Sequence, residues 1–154
     1  MDIKRLPIER AFLIAAVQST ICGKGAAAWS TLPTPLDWAV VIEEACSHGV
    51  RPQLWRFLEQ NCADAVPVEV RQRLKTSFQD VLNHNLILTG ELCLVTNLLR
   101  SQGISAIPFK GPTLAMLAYG DLARREFNDL DLLIDARDLN RVVELLTSAG
   151  YRPR

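Results

Sequence analysis

The chain has 154 residues, 49% of them hydrophobic, and its 17 Lys and Arg are balanced by 17 Asp and Glu. That length suits one domain, or a domain with a helical extension, and the apolar fraction is enough to bury a core. A net charge of zero argues against extended nucleic-acid binding, which needs a basic excess, and leaves room only for a local basic patch.

In chain order, Lys4 and Arg5 precede the apolar run AFLIAAV at 11–17 and loosely imitate a secretory leader, but Glu9 and Arg10 interrupt it. Pro7 suits the first turn of a helix through about Thr20. The stretch CGKGAAAWSTLPTP reads as a loop, and Asp37 is placed to cap a helix over WAVVIEEACSHG that Gly49 ends. Pro52 opens a further helix, QLWRFLEQN. From Pro67 a long helix is predicted, with Leu74, Phe78, Val81, Leu88, Leu92, Val95 and Leu99 on one face and Gly103 as its stop. His84, near that seam, is expected to be partly buried and hydrogen-bonded. Cys22, Cys46, Cys62 and Cys93 form no CxxC pair and the two histidines lie far apart, so no structural zinc site is expected. Scattered thiols read as reduced, and hence as cytoplasmic. No run approaches the ~18 apolar residues of a membrane span.

After Gly103 the pattern changes. ISAIPF, 104–109, is short and β-branched and predicts a strand. Lys110-Gly111 predicts a turn, and Pro112 the first position of a helix that stops at Gly120. DLARREFN is a polar connection, and DLDLLI, 129–134, predicts a second strand. RDLNRVVELLTSAG predicts an amphipathic helix with Leu139, Val142, Val143, Leu145 and Leu146 turned inward. The expected organisation is α+β: a helical region over 1–102, then a small α/β core over 103–154.

Three features in the second half carry chemistry. Alternation along a strand places Asp129 and Asp131 on one face about 7 Å apart, where two carboxylates can converge on a hard cation; the plain alternative is a strand end whose acids face water. Gly111 permits close approach of a ligand, and the helix start beyond it offers free N–H groups and a positive dipole end; Thr113 adds a hydroxyl and Lys110 a charge. The plain alternative there is an ordinary turn with a solvated lysine. Arg124-Arg125 can fork onto phosphate or sit exposed. Taken together, the three suit nucleotidyl transfer, in which metal ions clamp the attacking and leaving oxygens.

The run FKGPTLAMLAYGDLARREFNDLDLLID, 109–135, resembles a bacterial family of uncharacterised nucleotidyltransferase-like proteins within the DNA polymerase beta-like nucleotidyltransferase superfamily. The matching features are Gly103-Ile104, Lys110-Gly111, Tyr119-Gly120-Asp121, Arg125, the stretch Asp129 to Ile134, and Gly150-Tyr151; His48-Gly49-Val50 resembles the family's helical N-terminal part. The resemblance implies a mixed-sheet α/β core, two Mg²⁺ ions held by Asp129 and Asp131 as catalytic ligands, and transfer of a nucleoside monophosphate from an NTP, with ATP the expected one. It implies that Gly111 and the following helix start hold the triphosphate, with phosphate contacts from Lys110 and Arg125. The acceptor, a small molecule or a protein, is not named by it. Lys-Gly-Pro departs from the Gly-Ser or Gly-Gly of the wider superfamily. A third carboxylate usually comes from a later strand, and none is evident here, because Asp135 lies about 13 Å along the strand from Asp131. The core is therefore expected to be incomplete at its C-terminus. Two other readings stay open: a non-catalytic nucleotide-binding or interaction module, and a glycosyltransferase, since D-x-D also holds metal–sugar nucleotides.

Overall fold

A computed structural model describes residues 6–23 and 35–152. Lys4, Arg5 and most of the expected Gly/Ala/Pro loop lie outside the described residues. The chain divides into two compact units, one built from residues up to Asn83 together with Ala123–Glu126, the other from His84–Leu122 and from Phe127 onward.

The first unit is helical. α1 spans Ile8–Cys22, with Pro7 as its N-cap rather than inside its first turn, and Gly23 in a left-handed conformation closing it onto the Ser19 carbonyl. Asp37 caps α2, Trp38–Ser47, as expected: its Oδ1 accepts from the Ala39 and Val40 amides at 2.9 and 3.3 Å. α3 spans Arg51–Asn61, with Pro52 in its first turn, where a missing N–H leaves no bond unmade. A short 3-10 turn, Ala63–Ala65, leads to α4, Val68–Ser101, which runs from this unit into the second. Phe12, Ala16, Val41, Leu54, Phe57 and Leu74 form the centre of this core, and Phe12 meets Phe57 and Trp38 edge-on.

The segment Ala123–Glu126 belongs to this helical unit through polar bonds. The buried Gln53 donates from Nε2 to the Arg124 carbonyl at 2.7 Å. Arg51 grips Glu126 three times, from its backbone amide, from Nε at 2.9 Å and from Nη2 at 2.7 Å. Its Nη1 donates to Ser77 Oγ. A planar guanidinium suits such a two-pronged grip on a carboxylate.

The second unit is α+β. The later half of α4 ends at Ser101, and the Ile104 amide folds back onto the Leu99 carbonyl with Gly103 left-handed between them. β1, Ala106–Phe109, leads into α5, Gly111–Tyr119, closed by the left-handed Gly120. After a 3-10 turn at Leu122–Arg124 and the segment 125–130 comes β2, Asp131–Ile134, then a second 3-10 turn, Ala136–Asp138, and α6, Leu139–Ser148. β1 and β2 pair antiparallel, with Ala106 opposite Ile134, Ile107 opposite Leu133, Pro108 opposite Leu132 and Phe109 opposite Asp131. Pro108 is tolerated because both strands are edges. One sheet face packs Ala106, Leu132 and Ile134 on Val95, Leu99, Ile104 and Val142; the other leaves Ile107, Phe109 and Leu133 exposed.

Several expectations need correction. The sheet is one antiparallel pair, and among the described residues no further strand makes it mixed. Both strands start two residues later than predicted, so Asp129 precedes β2. In α6 only Val142 is fully buried and Leu145 and Leu146 partly so, while Leu139 and Val143 are exposed. One residue turns a helix by about 100°, which carries Val143 off the face that Val142 buries. His84 is exposed; its neighbour Asn85 is the buried polar residue of the long helix, donating from Nδ2 to the Leu122 carbonyl at 2.7 Å.

Candidate functional site

The turn between β1 and α5 departs most from ordinary backbone geometry. Lys110 has φ 56° and ψ −151°, and among the described residues it is the non-glycine residue with positive φ. This region is nearly reserved for glycine and costs a side chain on the order of 1–3 kcal/mol. Lys110 is fixed from both sides. Phe109 before it pairs with Asp131, and its own carbonyl accepts the Leu114 amide at 2.9 Å as the first bond of α5.

Gly111 follows with φ 40° and is buried. A Cβ built there would stand 3.2 Å from the Asp129 carbonyl oxygen and 4.0 Å from the Phe127 ring. The chain ahead of β2 therefore runs tight against the start of α5, and a side chain at 111 would have to press that backbone aside as well as bear the positive φ. Thr113 sits partly buried in the first turn of α5. The opening amides of that helix lack partners within it, as at any helix start, apart from Pro112, which has no N–H to offer.

The acidic residues meet the same turn in different ways. Asp131, the first residue of β2, stands opposite Phe109, and Lys110 Nζ lies 3.2 Å from its Oδ2. That oxygen is buried and, among the described residues, receives no directed hydrogen bond, so the approach is an ion pair only. The ammonium also lies 5.2 Å from the centre of the half-exposed Phe109 ring, within cation–π range. Asp129 is exposed, and its contact with the turn is through its backbone.

Lys110, Gly111, Thr113, Asp129 and Asp131 thus lie in one unit, around one turn, while Arg125 falls in the segment that belongs to the helical unit, between the bonds made by Arg124 and Glu126. Asp135 is occupied elsewhere: its Oδ1 accepts the Arg137 amide at 2.9 Å, and the Arg137 guanidinium bonds to it and holds its carboxyl below the usual range. Among the described residues, no group of three or more His, Cys, Asp or Glu side chains could hold a metal ion. No described helix is long and apolar enough to cross a membrane.

Sequence reasoning missed two participants. The Phe109 ring under Lys110 was visible only as one apolar residue of a strand. The strained backbone of Lys110 has no signal in composition, since a lysine at that position contradicts local preference.

A positive-φ strand-to-helix turn, with Asp131 ion-paired to Lys110 and Asp129 against Gly111 through its backbone, is where the predicted residues of the second unit meet. A family model described as uncharacterised nucleotidyltransferase matches residues 34–154, and the chain belongs to that family. The membership supports a general role in nucleotidyl transfer. Comparison with curated proteins and with solved structures returned no match.

Proposed function

We propose that the chain is a Mg²⁺-dependent nucleotidyltransferase module that binds an NTP, ATP by expectation, at the Lys110–Gly111 turn. The observation that carries this reading is the convergence of both acid positions on one phosphate-friendly turn: Asp131 through its carboxylate and Asp129 through its backbone. The chemistry of the donors fits magnesium, which takes one or two carboxylates and completes its shell with water and substrate phosphate oxygens. Asp131 offers a buried oxygen without a hydrogen-bond donor, and Asp129 an exposed carboxylate two residues away. When bound, the metal would neutralise charge on the triphosphate and on the departing pyrophosphate.

The protein's own part is positioning. Gly111 lets the chain turn tightly against Asp129, and beyond it the Thr113 amide and hydroxyl donate to the phosphates. Lys110 supplies a solvent-exposed positive charge. An acceptor hydroxyl oxygen, on a small molecule or a protein, would attack the α-phosphorus in line and give up its proton to solvent. The P–O bond to the β-phosphate then breaks, and pyrophosphate carries the electron pair away.

The experiment is calorimetric titration of MgATP and its non-hydrolysable analogue into wild type, Asp129→Ala and Asp131→Asn, alongside release of labelled pyrophosphate. Binding that both substitutions weaken by about tenfold or more, as expected for lost charge-assisted contacts, supports the reading. Unchanged affinity in both sinks it. Binding without product favours the non-catalytic nucleotide-binding module, which the small two-stranded sheet keeps in view.

A further inference from the structure

We infer that the Lys110 ammonium is a placeholder for the metal, occupying Asp131 when no cation is bound and released toward phosphate when one arrives; this rests on the metal reading above. Three observations lead there. First, the ammonium stands 3.2 Å from Asp131 Oδ2, the position that a metal would need to take, and the contact lacks hydrogen-bond direction. It is therefore held by charge rather than by geometry, and a divalent ion can replace it without breaking a directed bond. Second, Lys110 is mostly exposed, with 58% of its side chain open to solvent, whereas Asp131 is 28% exposed. The lysine can leave; the aspartate stays within the β pairing. Third, the backbone of Lys110 holds a glycine-like conformation. A lysine stands here in a conformation where glycine would be relaxed, as is expected where the side chain has a task at the turn. The Phe109 ring beneath the ammonium supplies a second resting surface from which the chain can swing to the start of α5.

The exchange has a consequence that a fixed structural ion pair lacks. Removing the ammonium should strengthen binding of a bare cation and weaken binding of the metal–nucleotide complex, two changes of opposite sign from one substitution.

The probes are Mn²⁺ alone and MgATP, titrated calorimetrically into wild type, Lys110→Met, Lys110→Gly, Asp131→Asn and Arg141→Met. Methionine keeps an aliphatic stem over Phe109 without the charge, and glycine relieves the backbone as well, so agreement between them separates charge from strain. Mn²⁺ should bind both Lys110 variants about 2- to 5-fold more tightly than wild type, the range of one solvent-accessible ion pair. MgATP should bind them about tenfold more weakly, for loss of one charge-assisted phosphate contact. Arg141→Met removes a positive charge elsewhere in the same unit and should change neither. Mn²⁺ affinity that depends on Asp131 but is unchanged or lowered in both Lys110 variants overturns the exchange and leaves the metal reading standing. Equal gains in Arg141→Met also overturn it, because they would mark a diffuse field effect. Absence of Mn²⁺ binding in wild type and in the Lys110 variants removes the metal reading, and the exchange with it.

Discussion

The Asp129 carbonyl oxygen stands 3.2 Å from where a Cβ of residue 111 would be, so Gly111 and Asp129 are in backbone contact across the turn that opens α5. A side chain at 111 must push backbone, which cannot swing aside as a flexible side chain can. Gly111→Ala adds the strain of φ 40° to that contact. We expect a loss of about 1–3 kcal/mol in stability, read by urea melts. MgATP affinity should fall as well, since Asp129 would shift. A variant as stable as wild type with unchanged nucleotide binding would show that the close approach has no bearing on the site.

Arg51 and Glu126 are 75 residues apart, yet their side chains make a two-pronged bond that ties the Ala123–Glu126 segment to the helical unit. Glu126 is 10% exposed and Arg51 28%, so removing one partner strands a charge that water reaches only in part. Glu126→Ala should destabilise by about 2 kcal/mol, below the range of fully buried pairs because Arg51 keeps some solvent. Combining it with Arg51→Met should recover part of that loss, and a double-mutant cycle by chemical denaturation measures the coupling. Strictly additive losses would refute the proposed link.

Asn85 and His84 are adjacent on α4 and should respond oppositely to truncation. Asn85 has no exposed surface and donates to the Leu122 carbonyl at 2.7 Å, whereas His84 faces solvent. Asn85→Ala should cost about 2 kcal/mol, because it leaves a carbonyl without its donor and a small void. His84→Ala should lie within about 0.5 kcal/mol of wild type. Thermal melts of the two variants test this; equal effects would mean that burial of residue 85 contributes nothing.

That pair also shows what was legible beforehand. The apolar rhythm of α4 identified the buried stripe, including Leu74, Val81, Leu92, Val95 and Leu99. Asp37 as a cap, and Gly49, Gly103 and Gly120 as left-handed stops, follow from local chemistry and sit at helix ends. Periodicity could not decide which of two neighbouring polar residues turns inward, since they differ by one step of the helix. Nor could it see where β2 begins. Alternation alone put Asp129 in the strand, but pairing starts at Asp131, opposite Phe109, and Asp129 is held instead by its backbone contact at Gly111. The Lys110 conformation and the Arg51–Glu126 bond were illegible for a common reason: both are set by tertiary contacts that local preference does not encode.

Tyr151 follows α6, packs on the second unit's core and donates its phenol to Glu91 on α4. This bond to the Glu91 carboxylate pushes the phenol above its ordinary value, with burial as the second cause. A raised value in the folded chain means that the native state holds this proton more tightly than the unfolded state does. Its contribution is therefore complete below the unfolded phenol's value, about 10, and is lost as pH rises through the folded value. Tyr151→Phe should cost about 1 kcal/mol at pH 8, for one hydrogen bond. The gap between wild type and Tyr151→Phe should stay constant from about pH 7 to 9 and close at higher pH, where ionised tyrosine would face the carboxylate. Urea melts of both proteins across that range decide the matter. A gap that persists undiminished well above pH 10 would mean that the phenol proton is not what joins Tyr151 to α4.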